Sequence, residues 1–368
     1  MQVPFFPYNK IFSEYSDRFK SNLEKVIESG QYILGNDLLE FEKNISLKIQ
    51  NKYCIGVANA TDALEIMMSY HNFNKDDEII LSSHTMIATL SAIIHAGAKP
   101  VPVDINLDGT ICPLEIKKNL NPKTKAIIVT QLNGHTCNMD EIMTICHEND
   151  LILFEDSAQA LGSKFKNKSA GTFGFAGCLS FYPAKILGGP GDGGAILTDN
   201  NEFFEWATAY RDHGRDSSGL KHIGRNSRLD NLMALFLDEQ LKDFDSFVER
   251  RKSIAQIYTD GLNEIKALTL PELYNDSSNI HFETFQNFEI LAVKRDKLKK
   301  YLGEKGIGTL IQWGGLAIHN IENYRLNSKS TFDNTSKYFR DCLMLPMNTM
   351  ISDNEIKYVI DTIKNFYE

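Results

Sequence analysis

Ala126-Ile-Ile-Val129, then a helical pattern over Met139–Glu148, then Leu151-Ile-Leu-Phe154 read as a strand, a helix and a second strand in succession. Both runs are apolar without alternation, the pattern of strands covered on both faces, and a single helix between them is the crossover that parallel neighbours require. The same unit recurs upstream. Ile55-Gly-Val57 precedes a helix through Ala63–Tyr70, Glu78-Ile-Ile-Leu81 precedes one through Ala88–Ala96, and Lys99–Val103 is a further apolar run. This alternation predicts an α/β domain with a doubly wound, mostly parallel sheet. Gly177–Phe181 and Gly194–Thr198 are joined by a glycine-rich loop too short for a crossover, so an antiparallel pair is expected there. From Leu229 to Ile265 apolar residues recur at helical spacing, which predicts one or two long helices leading out of the large domain. A smaller α+β unit follows. It is read as a strand over Phe285–Val293, a helix over Asp296–Lys305, a strand over Ile307–Gln312 and a closing helix opened by the capping box Ser352-x-x-Glu355. The expected division is an N-terminal arm and large domain over 1–245 and a small C-terminal domain over 246–368.

The 368 residues carry 39 Lys+Arg against 48 Asp+Glu, a net charge of −9 spread without long single-sign runs. That balance argues against a nucleic-acid partner, and any bound phosphate must be held locally. No apolar stretch approaches the ~18 residues of a membrane helix, and Met1-Gln-Val-Pro-Phe-Phe-Pro7 has neither the basic nor the apolar part of a signal peptide. The expectation is a cytoplasmic protein with no membrane partner. The six cysteines (Cys54, Cys112, Cys137, Cys146, Cys178, Cys342) are scattered singly, so reduced, mostly buried thiols are expected and no metal site.

The densest chemical signal is Ser180-Phe-Tyr-Pro-Ala-Lys185-Ile-Leu-Gly-Gly-Pro-Gly-Asp-Gly-Gly194, a lysine at the end of a strand followed by five glycines. An amine that forms a Schiff base must be transiently neutral, and glycines around it leave room for a planar cofactor. Upstream, Glu155-Asp156-Ser-Ala-Gln159 places carboxylates at the carboxyl end of an apolar strand, the sheet edge where ligands bind. A carboxylate there needs a cation, and the protonated ring nitrogen of pyridoxal phosphate is one. The turn Ala58-Asn-Ala-Thr61-Asp62-Ala-Leu64 opens a helix whose N-terminus suits a phosphate, with Ser180 as a further donor. For His84, His95, His135 and His213, ordinary surface or core packing is the preferred reading.

Together these segments resemble the DegT/DnrJ/EryC1/StrS sugar aminotransferases, members of the fold type I, aspartate-aminotransferase-like pyridoxal phosphate enzymes. The resemblance runs through Ser29-Gly-Gln-Tyr-Ile-Leu-Gly35, Gly56–Leu64, Glu155–Gly162, Ser180–Lys185 and Gly224-Arg-Asn226-Ser-Arg228. It implies a large pyridoxal-phosphate domain with a smaller C-terminal one. Lys185 would form the Schiff base and shuttle the proton, Asp156 would pair with the pyridine nitrogen, and Gln159 would bond the phenolic oxygen. Thr61, Asp62 and Ser180 would hold the phosphate, joined by Asn226 from the other subunit of a homodimer. Lysine at 185, where the family's dehydratases carry histidine, implies transamination.

Three positions depart from the family pattern. Met86 stands where an aromatic residue usually stacks on the ring, Met233 where glutamine is common, and Gln312–His319 where a different loop chooses the sugar. Tyr182, Trp313 and His319 are expected as walls of the sugar site, and Tyr32 as an arm reaching the partner's site. The activity so implied moves an amino group, most simply from L-glutamate, to a nucleoside-diphosphate-linked keto-deoxysugar for amino-sugar or surface-polysaccharide synthesis. The alternatives are a keto-cyclitol aminotransferase and a pyridoxal-phosphate-binding sensor without turnover.

Overall fold

Ile127 and Val129 bury their side chains on one face of a sheet, and Ala126 and Ile128 on the other, so the run is apolar throughout because it has two covers. The computed structural model describes residues 1–274, 280–321 and 328–368. The chain opens with three helices, α1 (Tyr8–Ser13), α2 (Ser16–Ser29) and α3 (Asn36–Ile49). Then come β1 (Tyr53–Val57), α4 (Ala60–Ser69), β2 (Glu78–Ser82), α5 (Ile87–His95), β3 (Lys99–Val103) and α6 (Pro113–Asn119). The series continues with β4 (Thr124–Thr130), α7 (Met139–Glu148), β5 (Ile152–Asp156), β6 (Ala176–Ser180), β7 (Gly194–Thr198) and α8 (Asn201–Tyr210).

The seven strands form one sheet in the order β1-β7-β6-β5-β4-β2-β3. Only β7 runs against its neighbours, paired antiparallel to β1 and β6, while β6, β5, β4, β2 and β3 are parallel. The architecture is therefore α/β, mostly parallel, with the antiparallel step where the short glycine loop required it. Helices α4, α5 and α8 cover one face. The other face is covered by α6 and α7 at one end and α3, with α9 (Asn231–Leu241) and the start of α10 (Phe244–Leu262), at the other. All six cysteines are free and five are buried.

The C-terminal unit is a three-stranded antiparallel sheet of β8 (Leu268–Thr269), β9 (Phe288–Ala292) and β10 (Cys342–Leu345), with α11 (Arg295–Glu304), α12 (Asp333–Asp341) and α13 (Asp353–Tyr367). Its core takes Ile254, Ala255, Tyr258 and Leu262 from the second half of α10. The boundary proposed at 245/246 falls in that helix's first turn. Val3 belongs to the same core and pairs with Ile307, so the first residues of the arm join the last unit of the chain. Ser352 caps α13 with the reciprocal Glu355 bond that the sequence predicts.

Two expectations in this unit are corrected. The strand begins at Phe288 rather than Phe285, because Phe285 sits in left-handed backbone at φ +48°. Ile307–Gln312 is not a strand. Ile307 bridges Val3 while Leu310 bridges Met344, and one run with two unrelated partners makes no ladder. It ends in a 3₁₀ turn at Gln312–Gly315 with φ +46° at Trp313.

A buried ion pair ties α3 to the sheet. Arg211, just past α8 and 3% exposed, donates to Glu42 Oε1 and to the Gly56 carbonyl at 2.7 Å, and the Gly56 N–H donates to Glu42 Oε1 at 2.7 Å. Removing one partner strands the other's charge, so Glu42→Ala is expected to cost about 3–5 kcal/mol of stability. Denaturant unfolding checks it.

Candidate active site

The pleat separates the two carboxylates that the sequence places side by side at the end of β5. Glu155 is fully buried on the far side, where it accepts from Gln131 Nε2 at 2.9 Å and from the Gly171 N–H at 2.8 Å, and also bonds the Phe173 and Gly174 amides. It holds the loop leading to β6. Burial raises its pKa and these bonds oppose the rise. Asp156 faces a cavity of about 560 Å³ at the carboxyl ends of β4 and β5. Its Oδ2 accepts from Thr89 Oγ1 at 2.7 Å and its Oδ1 from the Ala158 N–H at 3.2 Å, so the carboxylate shapes the turn that follows the strand while facing the cavity. Thr89 is held in turn by Thr85, which bonds Thr130.

Lys185 opens on the same cavity. Its backbone is set by the Lys185 N–H bond to the Tyr182 carbonyl at 2.8 Å and by Gln286 of the C-terminal unit, which accepts from the Ile186 N–H at 2.9 Å and donates to the Ala184 carbonyl at 2.8 Å. Desolvation lowers the amine's pKa to about 8, against the pull of Asp156 and Cys178, so the neutral form is more accessible near neutral pH than for an ordinary lysine. Among the described residues the amine has no hydrogen-bond or ion-pair partner.

The N-terminus of α4 closes a third side. Asn59 caps it by accepting from the Asp62 N–H at 2.8 Å, and the opening amides have no acceptor within the helix. β7 approaches so closely that a methyl on Gly194 would lie 2.4 Å from the Asn59 carbonyl carbon, and only glycine permits that contact. Gly188 and Gly189 serve the protein's own packing, since side chains there would meet the Tyr182 carbonyl at 2.6 Å and Met233 Sδ at 2.1 Å. Met233 is accordingly a packing residue of α9.

Thr61, Asp62, Met86, Asp156, Gln159, Ser180, Tyr182, Lys185 and Trp313 all line this one cavity. Met86 is half-exposed, and its Sδ accepts from the Ala88 N–H at 3.3 Å as α5 begins. Asn226, Tyr32 and His319 do not line it. Asn226 is exposed and bridges Asp212, and Tyr32 is exposed on the arm. His319 puts Nδ1 2.6 Å from Ser83 Oγ and stacks on Phe332 at 4.2 Å. Sequence reading missed Asn59, Thr89, Asp192 and Gln286. Asp192 lay within the quoted glycine loop, and Asn59 carried a capping signal; Thr89 and Gln286 carried none.

An enclosed, unpartnered amine of lowered pKa, a buried carboxylate across the cavity and open helix amides fit pyridoxal 5′-phosphate at aldehyde, ring nitrogen and phosphate. This fold and this cavity define a pyridoxal-phosphate-dependent aminotransferase. Residues 14–364 match the DegT/DnrJ/EryC1/StrS aminotransferase family. The chain is 32% identical over 366 residues to dTDP-3-amino-3,6-dideoxy-alpha-D-galactopyranose transaminase of Aneurinibacillus thermoaerophilus, covering 99% of each. It is also 32% identical to a pleiotropic regulatory protein of Geobacillus stearothermophilus, over 100% of this chain and 99% of that one. Among solved structures, DesV of S. venezuelae in complex with a ketimine intermediate superposes with a TM-score of 0.94 at 30% identity, covering 100% of this chain and 99% of that one. The chain belongs to the DegT/DnrJ/EryC1/StrS aminotransferase family. Among the described residues no helix is long and apolar enough to cross a membrane.

Proposed function

We propose that this aminotransferase takes nitrogen from L-glutamate and delivers it to a keto-deoxysugar carried on a nucleoside diphosphate, for amino-sugar or surface-polysaccharide synthesis. The carrying observation is the unpartnered Lys185 amine, in one cavity with Asp156 and the open end of α4. A nucleotide-linked sugar is supported by the dTDP-sugar in the name of the Aneurinibacillus relative.

Bound, the cofactor supplies an electron sink for the carbon that gains or loses nitrogen. Lys185 would move the proton between that carbon and the cofactor, taking it from the donor's carbon in the first half of a ping-pong reaction and giving one to the sugar's carbon in the second. Asp156, oriented by Thr89, keeps the ring nitrogen protonated. Gln159 donates to the phenolic oxygen, and the Thr61 amide with the Ser180 hydroxyl holds the phosphate, while the Asp62 amide is taken by the Asn59 cap. Met86 packs on the ring, and Tyr182 and Trp313 wall the sugar side. Asn226 and Tyr32, exposed and outside their own chain's cavity, are read as serving the partner's site in a homodimer. The exposed apolar residues Tyr32, Ile33, Leu34 and Leu39 on the arm support that assembly.

The test is the absorption spectrum of the cofactor-loaded protein before and after excess L-glutamate. Bleaching of the visible band, reversed by a nucleotide-linked keto-sugar, is the expected result. A band that persists with glutamate but bleaches with another amino acid would replace the donor. A band unmoved by any amino acid would favour a sensor, in keeping with the regulatory name of the Geobacillus relative.

A further inference from the structure

Gln159 enters the cavity with one end of its amide already committed. Its Oε1 accepts from the Asn133 backbone N–H at 3.0 Å, so the amide nitrogen is the end left for a ligand, and that nitrogen can only donate. Asn133 lies just past β4 in left-handed backbone, φ +55°. Its Nδ2 donates to Glu289 Oε2 at 2.9 Å, and its Oδ1 accepts from Asn287 Nδ2 at 2.8 Å. Glu289 stands on β9 of the C-terminal unit and is 6% exposed. The same Oε2 accepts from the Tyr338 hydroxyl at 3.0 Å. With its amide turned to donate, Gln312 places its nitrogen 3.1 Å from both carboxylate oxygens. Gln312 adjoins Trp313, whose left-handed backbone forms the turn beside the cavity.

We infer that Glu289 is a positioning residue of the transamination site: it fixes Asn133, so that Gln159 presents its N–H to the cofactor's phenolic oxygen, and through Gln312 it fixes the turn carrying Trp313. This rests on the reading of Gln159 given above. One buried carboxylate thereby couples the strut behind the cofactor to the wall on the substrate side, across the junction of the two units.

The surroundings suit that role. Glu289 faces the Asn133 and Gln312 amides, the Tyr338 phenol from α12 and the Cys342 thiol from β10. It also borders a second cavity of about 280 Å³, shared with His84, Asp108, His135 and Glu283. No cation among the described residues pairs with it. Burial pushes its pKa up to about 7, while bonds from Asn133, Tyr338 and Cys342 pull it down. As a carboxylate it can accept from all three of Asn133, Tyr338 and Gln312. An amide in its place presents two donors where acceptors are needed.

The readout is the pH titration of the bound cofactor's visible band in the full-length, loaded protein. A donor to the phenolic oxygen favours its anionic form, so weakening that donor moves the band's transition to higher pH. Gln159→Ala is expected to raise the transition by about one unit, and Glu289→Gln by roughly half a unit, about a threefold change in proton affinity. In the Gln159→Ala background, Glu289→Gln should add nothing further. Asn133→Gly keeps the left-handed backbone accessible, removes only the amide, and should shift the band in the same direction. It decides the matter if Glu289→Gln does not fold. If Gln159→Ala moves the band while Glu289→Gln and Asn133→Gly lower only the melting temperature, Glu289 is a packing residue and the inference is overturned. If Gln159→Ala itself leaves the band in place, the underlying reading of Gln159 fails and takes this inference with it.

Discussion

Lys185→Ala folds as the parent does and loses about 10⁴-fold or more in amino-group transfer. The side chain projects into a cavity, and the variant leaves intact the backbone bonds that shape its loop, from Lys185 N–H to Tyr182 and from Gln286 to Ala184 and Ile186. No buried partner is orphaned, so unfolding curves should be nearly unchanged. Activity falls because one amine both holds the cofactor covalently and moves the proton, and general acid–base assistance alone is worth about 10²–10⁴-fold. Steady-state turnover and the loss of the visible band, measured on the same sample, check both roles. Turnover near the parent's would place the acid–base elsewhere.

Asp156→Asn is the second large effect, a fall of roughly 10²–10³-fold in turnover with the fold kept. The replacement is isosteric. It can still accept from the Ala158 N–H, as the present carboxylate does at 3.2 Å, so the start of the next segment survives. What goes is the negative charge that keeps a ring nitrogen protonated in a buried place, and with it the cofactor's capacity to take up electrons. Measuring kcat for each half-reaction checks the origin of the loss. Both halves should slow together, because both depend on the same sink. A change confined to KM would assign Asp156 to substrate binding instead.

The sheet was legible because its strands are covered on both faces and so carry unbroken apolar runs. The β6–β7 reversal followed from loop length alone. Helices α1, α2 and α3 lie ahead of the first strand, where no βα alternation framed them. The site divided along the same line. Asp156 and Thr61 stand at element ends and Lys185 in the glycine-rich loop after β6, where local sequence indicates both the turn and the chemistry. Asn133, Glu289 and Gln312 meet across the junction of the two units, as Gln286 meets the Lys185 loop, and no spacing along one segment encodes a meeting of that kind. Glu155 and Asp156 show a further limit. Adjacent in sequence and alike in chemistry, they were assigned by the pleat to opposite faces, one to the architecture and one to the cavity.

Val3 lies in the C-terminal core and pairs with Ile307. The segment around Val3 therefore finds its place only after Ile307 and the residues packed with it have been made. The large sheet is assembled from neighbours and can form while synthesis continues, but the C-terminal hydrophobic cluster waits for segments far apart in sequence. Closing so long a loop is slow, and until it closes the apolar segment around Val3 stays open to other company. Newly made chains thus carry a timing problem that the finished fold conceals.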